Sequence, residues 1–259
     1  MQAVPAWRGE SIFVLQQLVL KDFRIRYRNM SLGLLWSLIN PLVMMAMLTF
    51  IFGYVQPTAN QPAFPVFILC GLVPYNFFTG AWLSGTISVV ESQALIKKVP
   101  VPRELVPIAA VLSNVVHLVI QLGLVFVFLF AYGRTPNRFW LWLPVVWILN
   151  IIFLCGLSLF TSAINVLIRD TRYIVESANL VLFWLVPIFY SFASIPQQYH
   201  NLYRFNPAAA LTLAMRNILL EAKAPPTSLL LILTTVSFGA FLFGLLTFRR
   251  LKPSFYDHI

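Results

Sequence analysis

Apolar residues run through this chain in six blocks, near Leu32–Val55, Phe64–Val90, Leu105–Tyr132, Trp140–Ile168, Ile174–Ala193 and Ser228–Phe248. Each is too long for a buried strand and too evenly apolar for a helix with one wet face. A helix rising about 1.5 Å per residue needs about 20 residues to cross a hydrocarbon layer about 30 Å thick. The pattern therefore predicts an all-α integral membrane protein with six transmembrane helices. Pro41, Pro74, Pro107, Pro144 and Pro187 fall within or near the ends of these blocks, where neighbouring helices can satisfy the carbonyls they free.

The segments between the blocks differ in kind. Before the first, IFVLQQLVL is followed by KDFRIRYR, the reverse of the order in a cleavable signal peptide. At helical spacing Gln17, Lys21, Arg24 and Arg28 share a face, with Ile12, Val19, Phe23 and Tyr27 roughly opposite and Asp22 and Arg26 as exceptions. That pattern predicts an N-terminal amphipathic helix at the membrane interface. Residues 91–104, ESQALIKKVPVPRE, are charged, and Pro100 and Pro102 end any helix begun before them. Residues 195–227 contain NPAAALTLAMRNILLEA, in which Pro207 suits a first helical turn. The piece is too short to span and reads as a re-entrant or interfacial segment before the last span. The chain thus divides into an N-terminal segment 1–31, a transmembrane domain 32–248 and a tail 249–259.

Composition supports this division: 59% of the 259 residues are hydrophobic and 10% charged, against about 25% charged in soluble domains. A soluble enzyme and a disordered chain are both excluded. The net charge of +10 reads as loop cations rather than as a nucleic-acid surface. Of the 18 Lys and Arg residues, 13 lie in the N-terminal segment, the second and fourth loops and the tail. Because cations collect on the cytoplasmic side, both termini are expected there. Cys70 and Cys155 lie inside apolar blocks and set neither a disulfide framework nor a metal spacing.

Candidate chemistry inside the spans is sparse. Asn114, His117 and Gln121 make one polar row on the third span, readable as a lining or as interhelical hydrogen bonds. No carboxylate pair, metalloprotease motif or nucleophile elbow is present. None of the five lysines follows a glycine, so the phosphate-binding loop of an ATPase is missing and ATP-driven work needs a partner. Two aromatic and polar stripes stand out at helical spacing: Trp36, Asn40, Met47, Phe50 and Tyr54 on the first span, and Asn179, Phe183, Pro187, Tyr190 and Ser194 on the fifth. Facing each other they could guide a glycan, with rings against sugar C–H faces; lipid-facing packing and interfacial belts are the alternative.

Four stretches carry a family resemblance. LKDFRIRYRNMSLGLLWSLINP (Leu20–Pro41), LIKKVPVPRELVP (Leu95–Pro107), IRDTRYIV (Ile168–Val175) and NPAAALTLAMRNILL (Asn206–Leu220) resemble, in order, the corresponding segments of permease subunits of ABC exporters for cell-surface polysaccharides, such as O antigen, capsule and teichoic acid. The resemblance implies a homodimer in the bacterial inner membrane with two copies of a separate ATPase, which would hold ATP and Mg; no cofactor is expected in this chain. It implies that Glu91, Lys97, Lys98, Arg103 and Glu104 contact that ATPase. It also implies that spans one and five line the route and that Asn206, Pro207 and Arg216 belong to an outer gate. Lys21, Arg24 and Arg28 are the expected contacts for a lipid-linked head group. An ABC permease for another lipid or drug, an ion-driven transporter and a membrane transferase remain the competing readings; the last has only His117 and His200 as candidate bases.

Overall fold

The computed structural model describes residues 11–28, 35–55, 63–98 and 101–257. The expected start of the first span at Leu32, Val99 and Pro100 of the charged segment 91–104, and the side chains of Arg26 and Tyr27 lie outside the described residues. Those described form helices and connections, with no strand among them. In chain order the helices are α1 (Ser11–Tyr27), α2 (Trp36–Phe50), α3 (Phe64–Glu91), α4 (Gln93–Lys98) and α5 (Leu105–Ala131). They continue with α6 (Trp142–Leu167), α7 (Thr171–Leu185), α8 (His200–Phe205), α9 (Pro207–Leu219) and α10 (Thr227–Leu251).

Among the described residues, five helical stretches are long and apolar enough to cross a membrane: Trp36–Val55, Phe64–Glu91, Leu105–Ala131, Arg138–Leu167 and Thr227–Phe255. The expected fifth span, Ile174–Ala193, differs. Its helix, α7, has 15 residues, about 22 Å at the standard rise. The cause is Pro187, which drives the residue before it out of helical geometry. Val186 is extended, with φ −83° and ψ 130°. The chain then runs through non-helical backbone to short 3-10 turns at Phe192–Ser194 and Gln197–Tyr199. Val186, Ile188 and Phe189 are nonetheless buried, the condition under which irregular backbone survives at membrane depth.

α3 is the central post, packed against α2, α5, α6, α7 and α9. α6 and α10 make the most extensive helix pair, and two glycines set their approach. A Cβ on Gly156 would meet the backbone of Phe241, and one on Gly244 would meet the backbone of Gly156. Without strong hydrophobic drive between helices in lipid, such close backbone contact supplies the packing. A second apolar cluster closes the other end of the bundle, joining Leu18 of α1 to Val89, Val106, Leu159, Phe248 and Phe255. The 3-10 turn Lys252–Asp257 therefore folds back, seating Phe255 edge-on to Phe248 with ring centres 5.3 Å apart. α1 packs on α5 with Val14 and Leu15 beside Leu18. Ile12, on the apolar face read from the sequence, is exposed, as are Phe13 and Ile25.

Candidate functional site

α2 presents its stripe outward. Trp36 is 53% exposed, Met47 53%, Phe50 58% and Tyr54 78%, and Asn40 is also exposed. These side chains form one open wall along the span. The helix continues through Pro41, which is buried, and ends in a single π turn, Ile51–Val55. There Phe52 stacks on Phe189, with ring centres 4.4 Å apart.

At the lower end of that wall lies a cleft of about 410 Å³ between α2, α3 and α5. Trp36 and Asn40 line it together with Asn76 and Thr79 of α3 and the row Asn114, His117 and Gln121 of α5. The row serves both roles weighed from sequence. His117 Nδ1 and Ser37 Oγ are 2.8 Å apart and Gln121 Nε2 donates to the Ser37 carbonyl at 3.2 Å, tying α5 to α2. The same side chains face the cleft. Sequence periodicity had no means of adding Asn76 and Thr79, since their row belongs to a different helix.

The α7 stripe faces the other way. Asn179 is buried, its carbonyl accepts from Tyr75 Oη at 2.8 Å, and Phe183 meets the Tyr75 ring edge-on at 5.3 Å. The exposed face of α7 carries Tyr173, Leu180, Val181 and Trp184 instead. Within one chain the two stripes therefore do not face each other. Tyr190 Oη donates to the Trp184 carbonyl at 2.8 Å and lies 3.2 Å from Tyr203 Oη, closing the loop after α7.

The helix expected to begin at Pro207 is present as α9. Asn206 caps α9, its Oδ1 accepting the Ala208 N–H at 3.1 Å, with Pro207 in the first turn. α9 is buried along most of its length, against α3 and α6. From it Arg216, 5% exposed, inserts beside the broken end of α7. Its Nη2 donates to Ile188 O at 2.7 Å and Phe67 O at 3.3 Å, and its Nη1 to Tyr190 O at 3.4 Å. The guanidinium carbon sits 3.4 Å from the Phe67 ring centre, a cation–π contact. Gly71 permits this assembly, because a Cβ there would stand 2.9 Å from Ile188 Cα. Among the described residues no carboxylate pairs with Arg216. The cation is held by the carbonyls of Ile188 and Tyr190 in the non-helical backbone after α7, together with the Phe67 carbonyl of α3.

At the opposite end, α4 projects Lys97 and Lys98, both exposed, with Glu91 exposed at the end of α3. Glu104 is engaged within the chain, its carboxylate holding Lys252 Nζ at 2.9 and 3.2 Å. Burial alone would raise its pKa, but the Lys252 hydrogen bond, its own backbone hydrogen bond and the charges of Lys252 and Arg249 outweigh burial and hold it below the ordinary carboxylate value. Arg103 is half-buried. On α1, Arg24 and Arg28 are exposed and Lys21 lies 3.7 Å from Asp22. Cys70 and Cys155 are buried and free, and no group of His, Cys, Asp and Glu among the described residues could hold a metal.

Comparison with known proteins covers this architecture almost end to end. Two proteins of Klebsiella pneumoniae named O-antigen export system permease protein RfbA are 32% identical over 202 residues, 78% of each chain, and 30% identical over 236 residues, 91% of this chain and 90% of that one. The polysialic acid transport protein KpsM of Escherichia coli is 26% identical over 194 residues, 74% of this chain and 75% of its own. The family described as ABC-2 type transporter matches residues 14–220, from α1 through α9. The chain is an integral membrane protein of the ABC-2 type transporter family.

Proposed function

We propose that this chain is the permease subunit of an ATP-driven exporter that moves a lipid-linked cell-surface polysaccharide from the cytoplasmic to the outer side of the inner membrane. The observation that carries the reading is the similarity, over 78–91% of the chain, to permeases named for O-antigen export. The exposed α2 wall gives it a physical form: Trp36, Phe50 and Tyr54 offer ring faces to sugar C–H surfaces, with Asn40 beside them for hydroxyls. One wall needs another, and a second copy of the chain would supply it, so the working unit is a homodimer. Two copies of a separate ATPase, holding ATP and Mg, would dock on α4 through Lys97 and Lys98, with both chain termini on that cytoplasmic side. Glu104 braces the base of this contact through Lys252. Arg24 and Arg28 would attract the phosphate of the lipid carrier, and α9 with Arg216 would form the outer gate.

In cells that lose their surface glycan when this chain is deleted, Trp36→Leu with Tyr54→Leu is expected to reduce surface glycan at least about tenfold, a barrier change of about 1.4 kcal/mol, with the protein still in the membrane. Glycan that persists after deletion overturns the proposal; export of another lipid impaired instead would reassign the cargo.

A further inference from the structure

The inward half of α3 carries a small or polar residue at every fourth position: Asn76, Gly80, Ser84, Ser88 and Ser92. Residues four apart are neighbours on a helix surface, so the row, ending at the cap residue Ser92, winds along α3 as a polar strip from one cleft to another. α5 lies against it with Asn114, His117 and Gln121. Two clefts open along the strip, the one of about 410 Å³ already described and a second of about 320 Å³ that reaches Lys21 and Glu91. Asn114 stands between them, Nδ2 donating to Ser84 Oγ at 2.7 Å. Gly80 lies about 16 Å along α3 from Glu91 at the standard rise, which places the larger cleft inside the hydrocarbon layer.

A polar cleft at that depth is costly unless it is used, and its chemistry narrows the occupant. None of its lining residues is Asp, Glu, Lys or Arg, so nothing there compensates a desolvated phosphate or a metal ion. An acyl chain would leave Asn76, Asn114, His117 and Gln121 facing hydrocarbon. Side-chain amides offer donors and acceptors together, which a ring bearing several hydroxyls requires, and Trp36 adds an apolar face at the mouth. The volume falls within the range of about 300–1,000 Å³ usual for small-molecule sites. We infer that this cleft is a subsite for one neutral sugar unit, resting on the glycan-export reading and locating where the glycan is first held. Trp36 and Asn40 belong both to the cleft and to the exposed α2 wall, so a sugar leaving the cleft passes directly onto that wall. The charged end of the carrier stays below, outside the neutral cleft.

The test uses the permease with its ATPase in lipid nanodiscs and a thiol placed in the cleft by Thr79→Cys. The native thiols are buried, so a small water-soluble methanethiosulfonate reports on the new one. A prenyl diphosphate bearing one hexose, supplied at about ten times its dissociation constant, is expected to slow labelling about tenfold by occupancy, whereas the same prenyl diphosphate without sugar leaves it unchanged. His117→Gln, which keeps a hydrogen-bonding neutral side chain, should fold and weaken the protection. Equal slowing by both lipids makes this a phosphate or lipid site and overturns the inference, as does slowing by neither. Either result, in cells whose surface glycan still depends on the chain, removes the subsite and leaves the export reading standing; glycan independent of the chain removes both.

Discussion

Arg216 carries a guanidinium into the packed end of the bundle around α9 and meets carbonyls of Ile188, Phe67 and Tyr190 there. Its partners come from α3 and from the backbone after α7, so one side chain fastens three parts of the chain. Hydrogen bonds to a charged group contribute about 1.5–3 kcal/mol each in favourable cases. Arg216→Ala, which leaves the carbonyls unmet, is expected to cost on the order of 3 kcal/mol, lowering the melting midpoint in detergent by roughly 6–12 °C. Arg216→Lys keeps the charge without the planar fork and should fall between; an alanine variant that melts like the parent would show the contact to be idle. Glu104 acts differently. Its lowered pKa means that its pairing with Lys252 contributes fully above the ordinary carboxylate value and fades as pH falls through the lowered one. Lys252 is 38% exposed, so the contribution is small, about 0.5–1 kcal/mol. Glu104→Gln should therefore melt a few degrees lower at pH 7, and the difference should shrink once pH falls below the ordinary glutamate value of about 4.3 and vanish below the lowered one. A gap independent of pH would assign the effect to packing rather than charge.

Among the elements, α6 and α10 show how little a sequence says about contact. Both read as apolar spans, yet what joins them is the absence of side chains at Gly156 and Gly244. A Cβ on Gly239, on the same helix as Gly244, meets nothing within 4 Å. Gly244→Ala is expected to destabilise by about 1–3 kcal/mol through overpacking, while Gly239→Ala should be neutral or stabilise by about 0.5–1 kcal/mol through helix propensity. Melting midpoints of the pair measure both, and equal shifts would refute the close crossing. The α7 region was only partly legible for a related reason. An apolar count over Ile174–Ala193 meets the length for a span, and Pro187 is a tolerable kink wherever neighbours satisfy the freed carbonyls. Here the backbone leaves the helix altogether, and Arg216, far along the chain, meets the Ile188 and Tyr190 carbonyls that follow the break. Periodicity grouped Asn179 with Phe183 correctly, but it gives no direction to a face when Leu180, Val181 and Trp184 make the opposite one equally apolar.

Over the whole molecule, the class, five of the six expected spans and the helix at Pro207 were legible because each follows from local pattern: apolar length, a capping Asn206 before Pro207, prolines after Lys98. Partners distant in sequence were not, and they decide how force travels. α4 is hydrogen-bonded onto the end of α3, Leu95 N–H donating to Ser92 O at 3.0 Å. α3 then runs unbroken for 28 residues, about 42 Å, to the Phe67 carbonyl that Arg216 holds. A push at Lys97 and Lys98 would thus reach, through one helix, the polar clefts along its flank and the Arg216 contact near its far end. Reversing both lysines to glutamate should leave the bundle and its melting point intact, since both side chains are exposed, while opposing any acidic groove below. Like-charge contact at an interface costs several kcal/mol. In membranes carrying the ATPase, surface glycan is therefore expected to fall at least about tenfold, the effect of 1.4 kcal/mol, with ATP hydrolysis persisting. Lys223→Glu, at the opposite end of the molecule and equally exposed, should change neither. If it reduces export as much as the double reversal does, net charge rather than the α4 contact governs the exporter, and α3 transmits nothing.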